Sequence, residues 1–513
     1  MVSLIPLLSS LIENLIVQVS KLPIIQISMS LIIGTYCALF SVIIWRTLEI
    51  GYRHTKQLYF AENDYKDIVI EDSTVSRFQE ALRFKTISTE QSVSEFTKMI
   101  KFIKNSFKTI HSSQYVTMET VADQNLLYTI SGSDKRLTPY LLLTHIDVVP
   151  AEPSFWILPP FSGKLKDGYI YSRGAMDFKN GVMGILEALE HLLSNGFKPS
   201  RTFYISIGCD GKNRGCKGVT QVSKLFHKRG LKKLEFILDR GCTVTGEADS
   251  IVMIGVTEKS VLDLTLTVKS SSGHPAYQLG PSPYGILAKA ITKLENHTYP
   301  SMLGQGPEKD MLENLAPIMN IWYKIMWSNI WLFNSIISKT MSLTAPMNAI
   351  IRTVHTVTDI HSDNVESKTN KVPESATANI RLHVHPSQTV NDIIIHFRNV
   401  IKDSQVIIST IYRSRMASVS PYGSHDFGYQ TVCKSIYQVF QPYLIAPGIL
   451  ATTTASSNYH MFTNNIYRFS PIVTSPGDEQ RYHGKNERMS VKNYGQTINF
   501  YKNIITNADK SSL

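Results

Sequence analysis

Four short apolar runs, each closed by an acid or an imidazole, constrain this chain more than any other feature. They are Leu141-Leu-Leu-Thr-His145-Ile-Asp147, Gly174-Ala-Met-Asp177, Phe203-Tyr-Ile-Ser-Ile-Gly-Cys-Asp210 and Phe236-Ile-Leu-Asp239. Helical stripes separate them: Gly181–Leu193 aligns Val182, Ile185, Leu186 and Leu189 on one side, and Val219–Phe226 repeats the pattern. Strands alternating with helices build a mostly parallel sheet. Ligands collect at the carboxyl ends of such strands, which is where His145, Asp177, Asp210 and Asp239 fall. The expected fold class is α/β.

Residues 60–110 read as helices, with Val75, Phe78, Ala81, Leu82 and Phe84 near helical spacing. Near residue 260 the pattern changes. Val261–Val268 alternates like a half-exposed strand, and Ile286, Leu287, Ala290, Ile291 and Leu294 form a helical stripe. Ala378–Val384 reads as another strand and Val390–Ile401 as another helix, the order of a small two-layer domain inserted in the first. The expected division is therefore 1–60 for the apolar N-terminus, 61–259 and 406–513 for the main domain, and 260–405 for the insert. Within the insert, residues 300–372 form a long insertion whose apolar segment Ile318–Ile337 is interrupted by Lys324 and is expected to pack as core or lid.

The formal net charge of +11 is spread without a basic block or Arg/aromatic alternation, which excludes a nucleic-acid reading. A diffuse positive field, or attraction to anionic membrane surfaces, remains. Five cysteines are too few and too scattered for a disulfide framework, and buried inert thiols are the default for Cys209, Cys216 and Cys242.

Residues 22–45 contain no charged side chain, and a membrane-spanning helix needs about 20 apolar residues. The expectation is one anchor, preceded by an amphipathic or partly inserted segment over Leu4–Val19; a cleaved signal peptide is the alternative. Arg46, Arg53 and Lys56 after the span, against Lys21 before it, favour a cytoplasmic main body, with Glu49 offsetting part of the bias.

At these residues the chain resembles the carboxypeptidase S, aminoacylase and desuccinylase family of co-catalytic zinc hydrolases, nearest its carboxypeptidase S and N-acyl amino acid synthase/hydrolase branch. The resemblance runs from about residue 65 to the C-terminus and includes Phe161-Ser-Gly, Trp331-Leu-Phe, His385-Pro-Ser-Gln-Thr-Val and Tyr467-Arg-Phe. It implies a zinc-exopeptidase-like domain with an inserted ferredoxin-like lid or dimerisation domain, hydrolysis of an amide next to a carboxylate, and a secretory-pathway location, so the orientation of the anchor stays open.

Carried over residue by residue, the resemblance makes His145, Asp177 and Asp239 one zinc site. Asp177 is the carboxylate that bridges to a second metal, and Asp147 is the acid that orients His145. The second metal implies Asp177, His483 and the second glutamate of a Glu-Glu pair, where Lys212 stands. The first glutamate of that pair is the general base, and Gly211 has no side chain to replace it. Asp210, one residue along, is a poor substitute, since a one-residue shift at a strand end is expected to turn its carboxylate elsewhere. The substrate-clamping Thr-Asp-x-Arg-His motif corresponds to Thr454-Ala455-Ser456-Ser457-Asn458, which lacks acid, arginine and histidine. His274, after Gly273, matches the lid histidine that polarises the scissile carbonyl, often across a dimer interface.

An ammonium beside a dication disfavours a metal pair, so at most one zinc per chain is expected. Two readings follow. One is a membrane-anchored, catalytically impaired homologue acting as a binder, a homodimer or a heterodimer partner of an active paralogue. The other is a working mono-zinc hydrolase of peptides or N-acyl amino acids. His145 and Asp239 also have a bland reading as buried polar groups satisfied by neighbours, and lone histidines such as His274, His383 and His385 as ordinary surface or core residues.

Overall fold

The computed structural model describes residues 24–56, 66–88, 93–122, 124–209, 217–246, 250–269, 274–362, 372–475 and 477–510. The expected segment Leu4–Val19, the start of the apolar span, Asp210, Gly211, Lys212, Cys216 and Gly273 lie outside the described residues. The chain divides into two compact units: residues up to 59 with 312–337, and 60–311 with 338–513.

The larger unit holds all the strands. The first eight are β1 (Val116–Val121), β2 (Asn125–Ile130), β3 (Tyr140–His145), β4 (Lys164–Lys166), β5 (Tyr169–Tyr171), β6 (Phe203–Gly208), β7 (Ile237–Thr245) and β8 (Ile251–Glu258). Then come β9 (Ser260–Lys269), β10 (Val354–His361), β11 (Ser375–Val384), β12 (Val406–Arg413), β13 (Leu444–Leu450), β14 (Ile466–Thr474) and β15 (Arg488–Ser490). The main sheet runs β1-β2-β6-β3-β7-β14-β8-β13. β3 is parallel to both β6 and β7, β7 to β14, and β8 to β13, while β1 and β2 are antiparallel. The α/β expectation holds, as a mixed sheet with a parallel centre.

Strand periodicity places this sheet between two layers. Tyr140 and Leu142 join a core containing the helices Lys179–Ser194, Phe427–Phe440 and Val491–Ala508. Leu141 and Leu143 join the opposite core with Val219, Val222 and Phe226 of the helix Lys217–Lys228. Tyr140 is stacked on Phe203 and on Phe236, at 5.0 and 4.9 Å. Gly184 lets the first layer close: a Cβ there would come within 2.7 Å of Thr497.

The inserted domain follows the order β9-helix-β10-β11-helix-β12, with the sheet β10-β11-β9-β12 antiparallel throughout. This is the ferredoxin-like arrangement. Leu262, Leu264, Leu266 and Val268 of β9 turn inward under the helices Pro283–Glu295 and Val390–Ile401. The second helix starts in a capping box between Thr389 and Asp392, which satisfies two otherwise orphaned backbone donors. The boundary expected at residue 405 needs correction, because β12 pairs with β9 and keeps the chain in this sheet to Arg413. β10 forms within the insertion, where the sequence pattern shows no strand.

The smaller unit contains the helix Ile24–Lys56, of which Leu31–Tyr52 is long and apolar enough to cross a membrane. The helices Ile321–Ser328 and Ile330–Met341 carry the segment expected to pack as core or lid. Residues 312–337 instead belong with the N-terminal helix. The Asn329 amide donates to Thr47 Oγ1 and Ile43 O at 3.2 and 3.3 Å, and Arg46 bonds Ser328 O and Glu313 at 3.2 and 3.0 Å.

Candidate active site

β3 delivers His145 to the carboxyl edge of the sheet, paired in register with Gly208 of β6. Its ring is nearly buried. Nδ1 faces the backbone oxygen of Asp147 at 3.0 Å and its carboxylate at 3.2 Å. Asp147 is wholly buried and accepts from the Ser88 hydroxyl at 2.6 Å. With Nδ1–H donating to Asp147, Nε2 is turned toward Asp177 Oδ1, 3.4 Å away. That separation suits two ligands of one tetrahedral zinc, whose bonds of about 2.0–2.1 Å set them about 3.3 Å apart.

Asp177 sits in the turn before the helix Lys179–Ser194, and Glu487 holds that turn in place. Glu487 Oε1 accepts from the backbone N–H of Gly174, Met176 and Asp177 at 3.0, 2.7 and 3.1 Å. Its other oxygen meets Arg173 at 2.6 Å, and Arg173 also donates to His483 O at 3.0 Å. Burial pushes the Glu487 carboxyl up, and Arg173 draws it back. One buried ion pair thus ties the Asp177 turn to the distant His483 loop. The His483 ring, partly open to solvent, touches Asp177 Oδ2 through Nε2 and stacks on Tyr482.

The sequence reading missed Arg240. Its guanidinium lies 3.4 Å from Asp177 Oδ1 and donates to the Tyr482 hydroxyl at 3.1 Å. Burial works against its charge, but Asp177, Tyr482 and Asp239 outweigh burial and hold it above its ordinary value. A fixed cation thus shares the oxygen that faces His145. Asp239 itself accepts from the backbone N–H of Arg240 and of Ser456, at 2.8 and 3.1 Å.

The segment Ala455–Tyr459, where the resemblance places a substrate clamp, is a 3₁₀ turn. Ser457 donates to Thr454 O at 3.2 Å, and Asn458 donates to Ala455 O and accepts from Thr220 at 3.0 and 3.2 Å. Behind it, Glu258 bonds Arg468 and the backbone N–H of Thr454 at 3.0 and 2.7 Å. His274 is exposed, accepts from Ala276 N at 3.2 Å and packs on Tyr277.

The structure therefore brings His145, Asp147, Asp177 and His483 into direct contact and adds Arg240. Among the described residues, no three His, Cys, Asp or Glu side chains form a complete metal cage. The His145–Asp177 spacing fits two ligands of one zinc, and Arg240 faces the same carboxylate oxygen.

The model of peptidase family M20/M25/M40 matches residues 141–507. The N-fatty-acyl-amino acid synthase/hydrolase PM20D1 of Xenopus tropicalis is 37% identical over 447 residues, covering 86% of each chain. A probable carboxypeptidase S-like 2 protein of Dictyostelium discoideum is 36% identical over 448 residues, covering 85% of each. Among solved structures, an M20 family metallo-carboxypeptidase from Sulfolobus solfataricus superimposes with a TM-score of 0.61 at 17% identity, over 86% of this chain and 100% of the other. That likeness bears on the fold.

Proposed function

The chain belongs to peptidase family M20/M25/M40, and from that premise we propose that it is a membrane-anchored, carboxypeptidase S-like amide hydrolase homologue impaired in catalysis. The observation that carries the reading is the Arg240 guanidinium beside Asp177, the carboxylate on which two metals would have to meet. Gly211 and Lys212 at the Glu-Glu position, and Ala455, Ser457 and Asn458 at the substrate motif, support it independently.

In this reading His145, Asp177 and Asp239 hold at most one zinc, Asp147 orients His145, and His483 serves Asp177 rather than a second ion. When bound, the metal supplies Lewis acidity toward an amide carbonyl or a water. The ligand class is a peptide or an N-acyl amino acid, and the inserted domain joins two copies, or this chain and an active paralogue, with His274 reaching the partner's site. The helix Ile24–Lys56 anchors the chain in a membrane of the secretory pathway.

A second reading, an active mono-zinc hydrolase, is favoured by the 3.4 Å His145–Asp177 spacing. Zinc content and kcat/KM for an N-acyl amino acid separate the two. The expected order is negligible turnover in the parent, a rise in Gly211→Glu with Lys212→Glu, and a further rise on adding Ala455→Asp, Ser457→Arg and Asn458→His. Robust turnover by the parent, abolished by His145→Ala, overturns the impaired reading. Sedimentation of the detergent-solubilised chain at micromolar concentration tests the dimer, and a strict monomer refutes it.

A further inference from the structure

The helices Ile321–Ser328 and Ile330–Met341 have the polarity of a water-soluble helix pair turned inside out. At the junction of the two helices the polar side chains are turned inward. Ser328 and Asn329 are fully buried, with Asn329 bonded to Ile43 and Thr47. Lys324, the only charged side chain over 321–337, lies across Gly51, where an added Cβ would stand 3.7 Å from its amine. The apolar side chains face outward: Trp322 is 73% exposed, Ile321 59%, Ile336 53% and Trp331 52%.

Water penalises this arrangement, since exposed Trp and Ile forfeit the stabilisation that burial gives, about 25 cal/mol per Å² of apolar surface. Lipid reverses the sign. In a bilayer the apolar face is solvated, and polar groups stabilise contacts between helices. The same helix that Asn329 grips carries Leu31–Tyr52, long and apolar enough to span a membrane, with Leu31, Tyr36, Phe40 and Trp45 also turned outward. Both sets of exposed apolar side chains thus belong to one compact unit.

From this we infer that residues 321–337 form a second membrane-contacting element, two consecutive helices seated in the bilayer interface beside the anchor helix, whose partner is lipid. The two exposed tryptophans suit that depth, because amphipathic indoles concentrate at the headgroup level. An interfacial element of this kind enters about 5–10 Å below the headgroup boundary and does not cross. The inference rests on the proposed reading of the N-terminal helix as an anchor and extends it to a segment about 270 residues away in the chain.

The test uses the full chain reconstituted in phosphatidylcholine vesicles whose acyl chains are brominated at graded depths. One variant retains only Trp322 and Trp331, through Trp45→Phe, Trp156→Phe and Trp327→Phe. A second retains only Trp45, and a third only Trp156. Bromine is expected to remove roughly half or more of the emission of the first variant, with a blue shift, most strongly from shallow positions. It should also quench the Trp45 variant and leave the Trp156 variant unchanged. Quenching of Trp45 but not of Trp322 and Trp331, with the latter open to aqueous iodide, overturns the second membrane element while the anchor stands. Shielding of Trp322 and Trp331 from both bromine and iodide also overturns it and assigns the face to a second copy of the chain. An unquenched Trp45 removes the anchor reading and the inference with it.

Discussion

The Arg240 guanidinium stands 3.4 Å from the Asp177 carboxylate, on the oxygen that also faces His145. A bridging carboxylate needs both oxygens for metal. Here one faces a permanent cation and the other the His483 ring. Arginine keeps its charge at any accessible pH, so its repulsion of a divalent ion cannot be titrated away. Any metal at Asp177 would therefore have to share that oxygen with Arg240.

Arg240→Met is expected to destabilise the metal-free protein by about 3 kcal/mol, because a buried carboxylate loses a cation facing it. Zinc should then restore part of that loss, with an affinity at least about tenfold above the parent's. Denaturation with and without a chelator, together with competition against a chromophoric chelator, measures both. An unchanged zinc affinity would remove Arg240 from the account.

Glu487→Gln breaks a fully buried pair with Arg173 and weakens the anchoring of the Asp177 turn. The expected cost is about 3–5 kcal/mol, since Arg173 is left buried and unneutralised. Glu119→Gln, which breaks the largely exposed pair with Arg229, should cost under about 1 kcal/mol. Urea denaturation of the two variants compares them, and equal effects would contradict the anchoring role.

His460 supplies an acid-sensitive element. Burial, then Arg468 and Arg415, hold its imidazole down to about 4, from an ordinary value of 6.5. Between those values the unfolded chain binds a proton that the folded one refuses. Its contribution is therefore present above pH 6.5, is lost as pH falls toward 4, and is flat below. His460→Gln should flatten that part of the stability profile by about 2 kcal/mol. Denaturation midpoints at pH 7.5, 5.5 and 4 test it, and parallel profiles would refute it.

Gly184→Ala places a methyl group 2.7 Å from Thr497, between the buried faces of two helices that cannot give way without moving the core. A loss of about 1–3 kcal/mol is expected from overpacking. Thr497→Ser in the same chain should recover part of it, because the clashing atom is the threonine methyl. A thermal melt of the single and double variants reads both effects.

The core strands and most helices were legible because their signals are local. Tyr140–Thr144 writes a continuous buried run into the chain, Val261–Val268 writes period-two burial, and Gly181–Leu193 writes a helical stripe. β10 and β12 escaped, or were given to the wrong domain, because they are the edges of the inserted sheet. An edge strand with one face open loses the alternation that marks its neighbours, and in β12 even Ile407, Ile411 and Tyr412 lie exposed. The apolar stretch 318–337 was legible as apolar and nothing more, since composition does not say which surface it meets.

By itself the sequence determined the α/β class and the apolar N-terminus, and marked His145, Asp177 and Asp239 at the ends of apolar runs, because each follows from neighbours a few residues away; Asp147 and His483 were legible only through the family resemblance. Only the tertiary structure decided that Arg173 and Glu487, 314 positions apart, clamp the Asp177 turn, and that Arg240 brings its charge to Asp177. The physical reason is that electrostatic pairing depends on distance in space. A charge in the sequence carries no mark of its partner until the chain closes around both.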